Sequence, residues 1–274
     1  MIEVLFDEIS IPEKYFINYL NKIKKSACVS CLSIMFMLSL FSCSNSTTIP
    51  SKKWLGENIL ISDFIKTTNY YHMFDSTNVK VGSMVFGSYF ENGLFIARDT
   101  SQFDNGSVYE TAEFQIDTSS MKMHQIGMDY NFGSKGKLNI MLKNIDDKVV
   151  GTYKTQRDSI VNSKKVDSIY KYDAFRGELY MLLNTLNLKK GDSLLLDIFV
   201  PFSLNTSKVT ISSLGEEKIK VPYFDNDQLC DKIKITSDGK MPDNVIWISK
   251  TLPRRMLKIN VPNAKLNLVL VNVK

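Results

Sequence analysis

The chain has 274 residues, 44% of them hydrophobic and 23% charged, and a formal net charge of +5. That length accommodates one large β domain. The charge is mildly basic and dispersed, and with no basic stripe, no interleaved aromatic platform and no recognised binding motif it excludes nucleic acid as a partner.

Residues 1–21 contain Glu3, Asp7, Glu8 and Glu13, which is long and acidic for a leader. Either the basic region of a signal peptide is extended here, or translation starts downstream at a non-Met codon near Leu20. Lys22, Lys24 and Lys25 then precede an uncharged apolar run from Ala27 to Ser42. A cationic region, a short apolar region and a small residue form the pattern of a secretory signal peptide. The run falls short of the ~20 residues that span a bilayer as a helix. Its end, Leu40-Phe41-Ser42-Cys43, resembles a bacterial lipobox. The resemblance implies removal of 1–42 and acylation of Cys43, and two or more acyl chains give stable anchoring where one does not. Cys28 and Cys31 form a C-x-x-C, but both lie in the segment expected to be removed. Cys230 is then the one thiol left, too few for an internal disulfide, and is expected as a small buried apolar residue.

Residues 43–53 are polar and read as a lipidated N-terminus and flexible tether, with Lys52 and Lys53 near the headgroups. Residues 54–274 read as a single β domain. Alternating runs at 80–90 and 94–99 flank Glu91-Asn92-Gly93, a strong hairpin signal. Further runs follow at 109–117, 122–132, 137–145, 149–156 and 166–173, with short breaks at 118–120, 133–136 and 146–147, as in an antiparallel meander. At 175–186 the rhythm changes: Phe175, Leu179, Leu182 and Leu186 share a helical stripe, with Asp173 the expected N-cap and Gly191 ending the connection. Strands resume at 193–202, 208–214, 217–224, 231–236, 244–250, 255–261 and 265–274. The predicted fold is therefore mainly β: one curled antiparallel meander, a partly open barrel, with one main helix on its concave side.

The segments "LNTLNLKKGDSLLLDIFV", "EEKIKVPYFDNDQLCDKIKI", "VIWISKTLPRRMLKI" and "LNLVLVNVK" resemble a family of exported bacterial proteins of unknown function, of the 3108 type. The resemblance covers well under half the chain and rests on apolar patterns. It departs in "PYFDNDQL", where an acidic turn replaces the usual Gly. It implies a curled, partly open barrel akin to the periplasmic lipoprotein carriers, and brings no catalytic residues.

Chemistry is sparse. His72 and His124 have no second His or Cys at ligand spacing, so no metal and no cofactor is expected. "GSKGK" (133–137) lacks the spacing of a phosphate loop and "DNDQ" (225–228) lacks the Gly and distal Glu of a calcium loop. Paired carboxylates could converge from separate strands, which sequence does not reveal. Trp247, Arg254 and Arg255 in "IWISKTLPRR" form the most distinctive polar–aromatic group, either a guanidinium fork for an anionic lipid headgroup or acidic sugar, or an exposed turn beside a core Trp. Four Asp-Ser/Thr motifs, such as Asp158-Ser159-Ile160, resemble a short O-glycosylation motif of Bacteroidetes-type bacteria. With no acidic run after Cys43, that lineage places the protein on the periplasmic face of the outer membrane. The expected role is a non-enzymatic binding module for an apolar or amphipathic ligand or an envelope polymer. The alternative is a structural or assembly lipoprotein with a protein partner, and an enzyme with scattered residues ranks third.

Overall fold

The computed structural model describes Thr48–Ile49 and residues 66–274 except 121 and 147. The expected leader with Cys28 and Cys31, the expected acylation site Cys43 and the lysines of the expected tether lie outside the described residues. Within the expected tether, Thr48–Ile49 form a two-residue strand, β1.

Eight strands then follow as a meander: β2 (Thr67–Phe74), β3 (Lys80–Glu91), β4 (Leu94–Phe103), β5 (Tyr109–Asp117), β6 (Met123–Asn131), β7 (Lys137–Ile145), β8 (Lys148–Arg157) and β9 (Ile160–Ser168). A short β10 (Ala174–Phe175) leads into the helix α1 (Arg176–Leu182), which a 3-10 turn at Leu183–Thr185 continues. A second meander closes the chain: β11 (Ser193–Val200), β12 (Asn205–Ile219), β13 (Gln228–Ser237), β14 (Asn244–Ser249), β15 (Met256–Val261) and β16 (Leu266–Val273). The last strand pairs antiparallel with β2, so both meanders form one sheet running β1-β11-β12-β13-β14-β15-β16-β2 and on to β9. β1 and β10 both lie parallel to β11.

One face of this sheet is largely apolar, because residues of one parity meet across each ladder. Tyr71 opposes Met84, Ala97 opposes Phe114, Phe114 opposes Ile126, and Ile126 opposes Leu142. In the second meander Leu194, Ile211, Ile235, Ile233, Ile246, Ile259 and Leu268 continue the row. All of these are buried. The helix packs on this face: Gly177 sits so close to Phe114 that a Cβ would lie 2.4 Å from the ring, and the Phe114 and Phe175 rings are 5.6 Å apart. The expected mainly β architecture, with one helix on the concave side, is what the chain forms.

Strand pairing does not close the sheet, yet its two ends meet. Tyr153 of β8 donates its hydroxyl to the Phe202 carbonyl after β11 at 3.0 Å, and the rings of Tyr130 and Phe202 are 4.6 Å apart. Strands near opposite ends of a flat sheet this wide could not touch, so the sheet is curled.

Several local expectations are corrected. β2 was not anticipated. β9 spans Ile160–Ser168 rather than 166–173. The runs at 208–214 and 217–224 form a single strand to Ile219, with a bulge between Ser213 and Gly215. Asp173 does not cap the helix; its carboxylate accepts from the Asp197 N–H at 2.9 Å. Phe175 is the N-cap, and the Glu178 carboxyl accepts from its N–H at 3.2 Å. The Asn92–Gly93 turn has φ values of 50° and 77°, the positive pair that a tight hairpin requires.

Candidate functional site

Alternation that places apolar side chains on the concave face also places a few charged ones there. In β4 the inward parity is Phe95, Ala97 and Asp99; in β5 it is Glu110, Ala112, Phe114 and Ile116. Asp99 opposes Ala112 and Ser101 opposes Glu110, so the two carboxyl groups are diagonal neighbours on adjacent strands. Such neighbours stand about 7–8 Å apart at the backbone, within side-chain reach. Tyr130 of β6, directly opposite Glu110, donates its hydroxyl to Glu110 Oε1 at 3.2 Å. Ser101 donates to Asp99 Oδ1 at 3.2 Å.

Arg176, the first residue of α1, supplies the cation. Its guanidinium lies 5.9 Å from the centre of the Phe202 ring and within electrostatic reach of Glu110, Tyr130 and Tyr180. Burial opposes its charge, but those neighbours more than offset the effect. Among the described residues no carboxylate stands within ion-pair distance of Arg176. Tyr180, one turn on, accepts from the side-chain amide of buried Asn244 at 3.1 Å.

The electrostatics of this group are unusual. Burial raises the Asp99 carboxyl well above its ordinary range, and the adjacent Glu110 charge raises it further. Glu110 is also raised by burial, against the opposing pull of Arg176 and the Tyr130 hydrogen bond. Two desolvated acids this close do not both ionise readily, so the pair holds a proton near neutrality. Asp99, Glu110 and Arg176 are thus strongly desolvated, yet each keeps part of its surface accessible. Sequence reasoning left this set unnamed. The available signal was an acid at the inward parity of an otherwise apolar alternation, which becomes visible only once strand register is fixed.

Trp247, Arg254 and Arg255 do not converge. Trp247 opposes Lys232 and Lys258 on the convex face and is held between their ammonium groups at 5.0 and 4.9 Å from the ring centre. Its indole N–H lies near Glu217 but outside hydrogen-bonding geometry. Arg254 is turned inward, donating to Asp231 Oδ2 at 2.6 Å and to the Ser249 and Leu186 carbonyls. It ties the β14–β15 loop to β13 and to the chain leaving the helix. Arg255 approaches Tyr71 electrostatically, with a buried Nε that has no hydrogen-bond partner. Cys230 is buried, and desolvation pushes its thiol up to about 12.

A shallow cleft of about 440 Å3 adjoins this group at Tyr130 and is otherwise lined by residues that include Tyr109, Asp129, Asn131, Lys137 and Gln156. It spans residues of β5 to β9 and is open to solvent. Among the described residues no three His, Cys, Asp or Glu side chains are grouped to hold a metal.

No family model and no curated protein matches the chain. Among solved structures it is similar to a β-barrel-like protein of the domain of unknown function DUF1849 from Brucella abortus, at 11% identity and a TM-score of 0.48, covering 77% of this chain and 98% of that one. It is also similar to a provisionally assigned exported protein with a YmcC-like fold from Bacteroides fragilis, at 9% identity, a TM-score of 0.32, and coverage of 77% and 96%. A provisionally assigned lipoprotein from Parabacteroides distasonis gives 11% identity, a TM-score of 0.31 and the same coverage.

Proposed function

We propose that this protein is a non-enzymatic binding module of the bacterial cell envelope, tethered through acylated Cys43 to the periplasmic face of the outer membrane. Its curled sheet receives an amphipathic ligand, a lipid or a glycan-bearing envelope polymer. The observation that carries this reading is the desolvated polar cluster of Asp99, Glu110, Tyr130 and Arg176 on the concave face, which would line the proposed recess. Arg176 brings a desolvated guanidinium, supported by Tyr180 and by the charge of Glu110, onto an otherwise apolar face, where desolvated charge is costly to keep. Half-buried Arg176 is poised for an anionic or strongly polar headgroup, with the proton shared by the acid pair as a hydrogen-bond donor and the Tyr130 oxygen as an acceptor. The walls beside them, Phe86, Ala112 and Met128, are apolar and suit the rest of such a molecule.

The test is native mass spectrometry of the mature protein purified from a bacterial envelope. A lipid or glycan mass should accompany it and be lost in Arg176→Met and in the double variant Asp99→Asn/Glu110→Gln. Circular dichroism of each variant checks that the sheet is retained. A ligand-free wild type, or a bound mass that both folded variants keep, overturns the assignment.

A further inference from the structure

The strand alternation divides the loops into two ends of the curled sheet. The turns at 189–192, 219–228 and 249–256 lie at one end; those at 74–80, 157–160 and 200–205 lie at the other. Because β1 runs parallel to β11, with Thr48 beside Ser193, the chain before Thr48 leaves from the first of these ends. Cys43 is five residues upstream, a covalent reach of ~18 Å at most.

That end also carries exposed apolar side chains. Leu252 at the tip of the β14–β15 loop is 82% exposed, and Leu195, Leu214, Tyr223 and Leu229 stand behind it, each at least 39% exposed. The loops form one surface: Lys250 N–H donates to the Leu229 carbonyl, Gly191 N–H to the Ser213 carbonyl, and the Arg254 guanidinium to the Leu186 carbonyl. Lys250 and Arg254 are engaged by Glu216 and Asp231, and at the rim Lys189 and Lys190 are exposed together with Asp225 and Asp227. Exposed apolar tips beside the point where an acylated chain enters are what a lipid interface accepts at headgroup depth.

We infer that the 189–192, 219–228 and 249–256 end docks on the lipid surface, with Leu252 inserted at headgroup depth. This rests on the Cys43 anchoring reading for its choice of partner. The β11–β12 turn, against which Tyr130 and Arg176 pack, then faces away from the membrane, so the recess is approached from the aqueous side. The opposite end carries its own exposed apolar residues, Val79, Ile160 and Val161, and is the built-in competitor.

The experiment uses the full acylated chain in vesicles of phosphatidylethanolamine and phosphatidylglycerol, with Leu252→Cys or Ile160→Cys carrying a nitroxide. Buried Cys230 stays unlabelled. Relaxation by lipid-dissolved oxygen and by an aqueous nickel chelate locates each label, and the intact mass reports acylation at Cys43. The expected result is oxygen-dominated relaxation at 252 and nickel-dominated relaxation at 160, a several-fold contrast. Nickel access at both positions, or lipid contact at 160 alone, overturns the docking. An acyl mass without the contrast removes the docking and leaves the anchor. The contrast without an acyl mass removes the anchor and leaves the docking.

Discussion

Glu178 is 2% exposed and sits in the first turn of α1, where its carboxyl accepts the Phe175 N–H. Desolvation pushes it up to about 8. A carboxyl raised in the folded state keeps its proton there while the unfolded chain has lost it. Between pH ~4.5 and ~8 the unfolded state therefore binds fewer protons, and stability falls as pH rises through that window. Asp99 and Glu110 act with the same sign. Asp117, held down to about 2 by hydrogen bonds from Ser119 and Ser120, acts oppositely and only in stronger acid. Urea unfolding should thus show greater stability at pH 5 than at pH 8. Glu178→Gln, which keeps the acceptor and removes the titration, should flatten that slope by on the order of a few kcal/mol across the window. An unchanged slope would mean that Glu178 is ionised in the folded protein.

At the scale of elements, what was legible followed the strength of one-sided burial. β3, β5 and β7 alternate cleanly, and their bounds were read to within a residue or two. β2 was missed because its inward positions are Thr67, Asn69, Tyr71 and Met73, half of them polar, so apolar alternation is absent. β9 was displaced because Val166 is its one buried residue, which leaves no pattern to set register at an edge. The helix was visible from its stripe, but its cap was not. Glu178 supplies a carboxyl acceptor that Asp173 would have offered had the chain not paired Asp173 with β11. Gly177 was equally silent in the sequence. In an exposed helix, Gly→Ala is favourable by up to about 1 kcal/mol. Here the new methyl meets the Phe114 ring, and overpacking costs ~1–3 kcal/mol. Gly177→Ala should therefore lower the unfolding midpoint rather than raise it. Pairing it with Phe114→Leu should recover part of the loss.

At the scale of the whole molecule, local pairing explains each meander but not their union. β2–β9 and β11–β16 are each built from neighbours in sequence, and each could in principle curl alone. They are joined by the β16–β2 ladder, which runs from Asn267 opposite Phe74 to Val273 opposite Asn69, by the helix on the concave face, and by the Tyr153–Phe202 closure. The recess belongs to this union: Asp99, Glu110 and Tyr130 come from the first meander, Arg176 from the connection, and Phe202 from the start of the second. No window of sequence contains it, which is why periodicity recovered the fold class and not the site. The same construction makes the two halves unfold together. Urea denaturation followed by far-ultraviolet circular dichroism and by tryptophan fluorescence, whose Trp247 lies in β14, should trace coincident transitions. Asn267→Pro should weaken the seam, since proline in a central strand removes a ladder donor and is otherwise confined to edges. The expected result is a loss of ~3 kcal/mol or more with the transitions still coincident. Separation of the two probes in the wild type would show instead that the meanders are independent folding units, and that the recess forms only when two preformed halves dock.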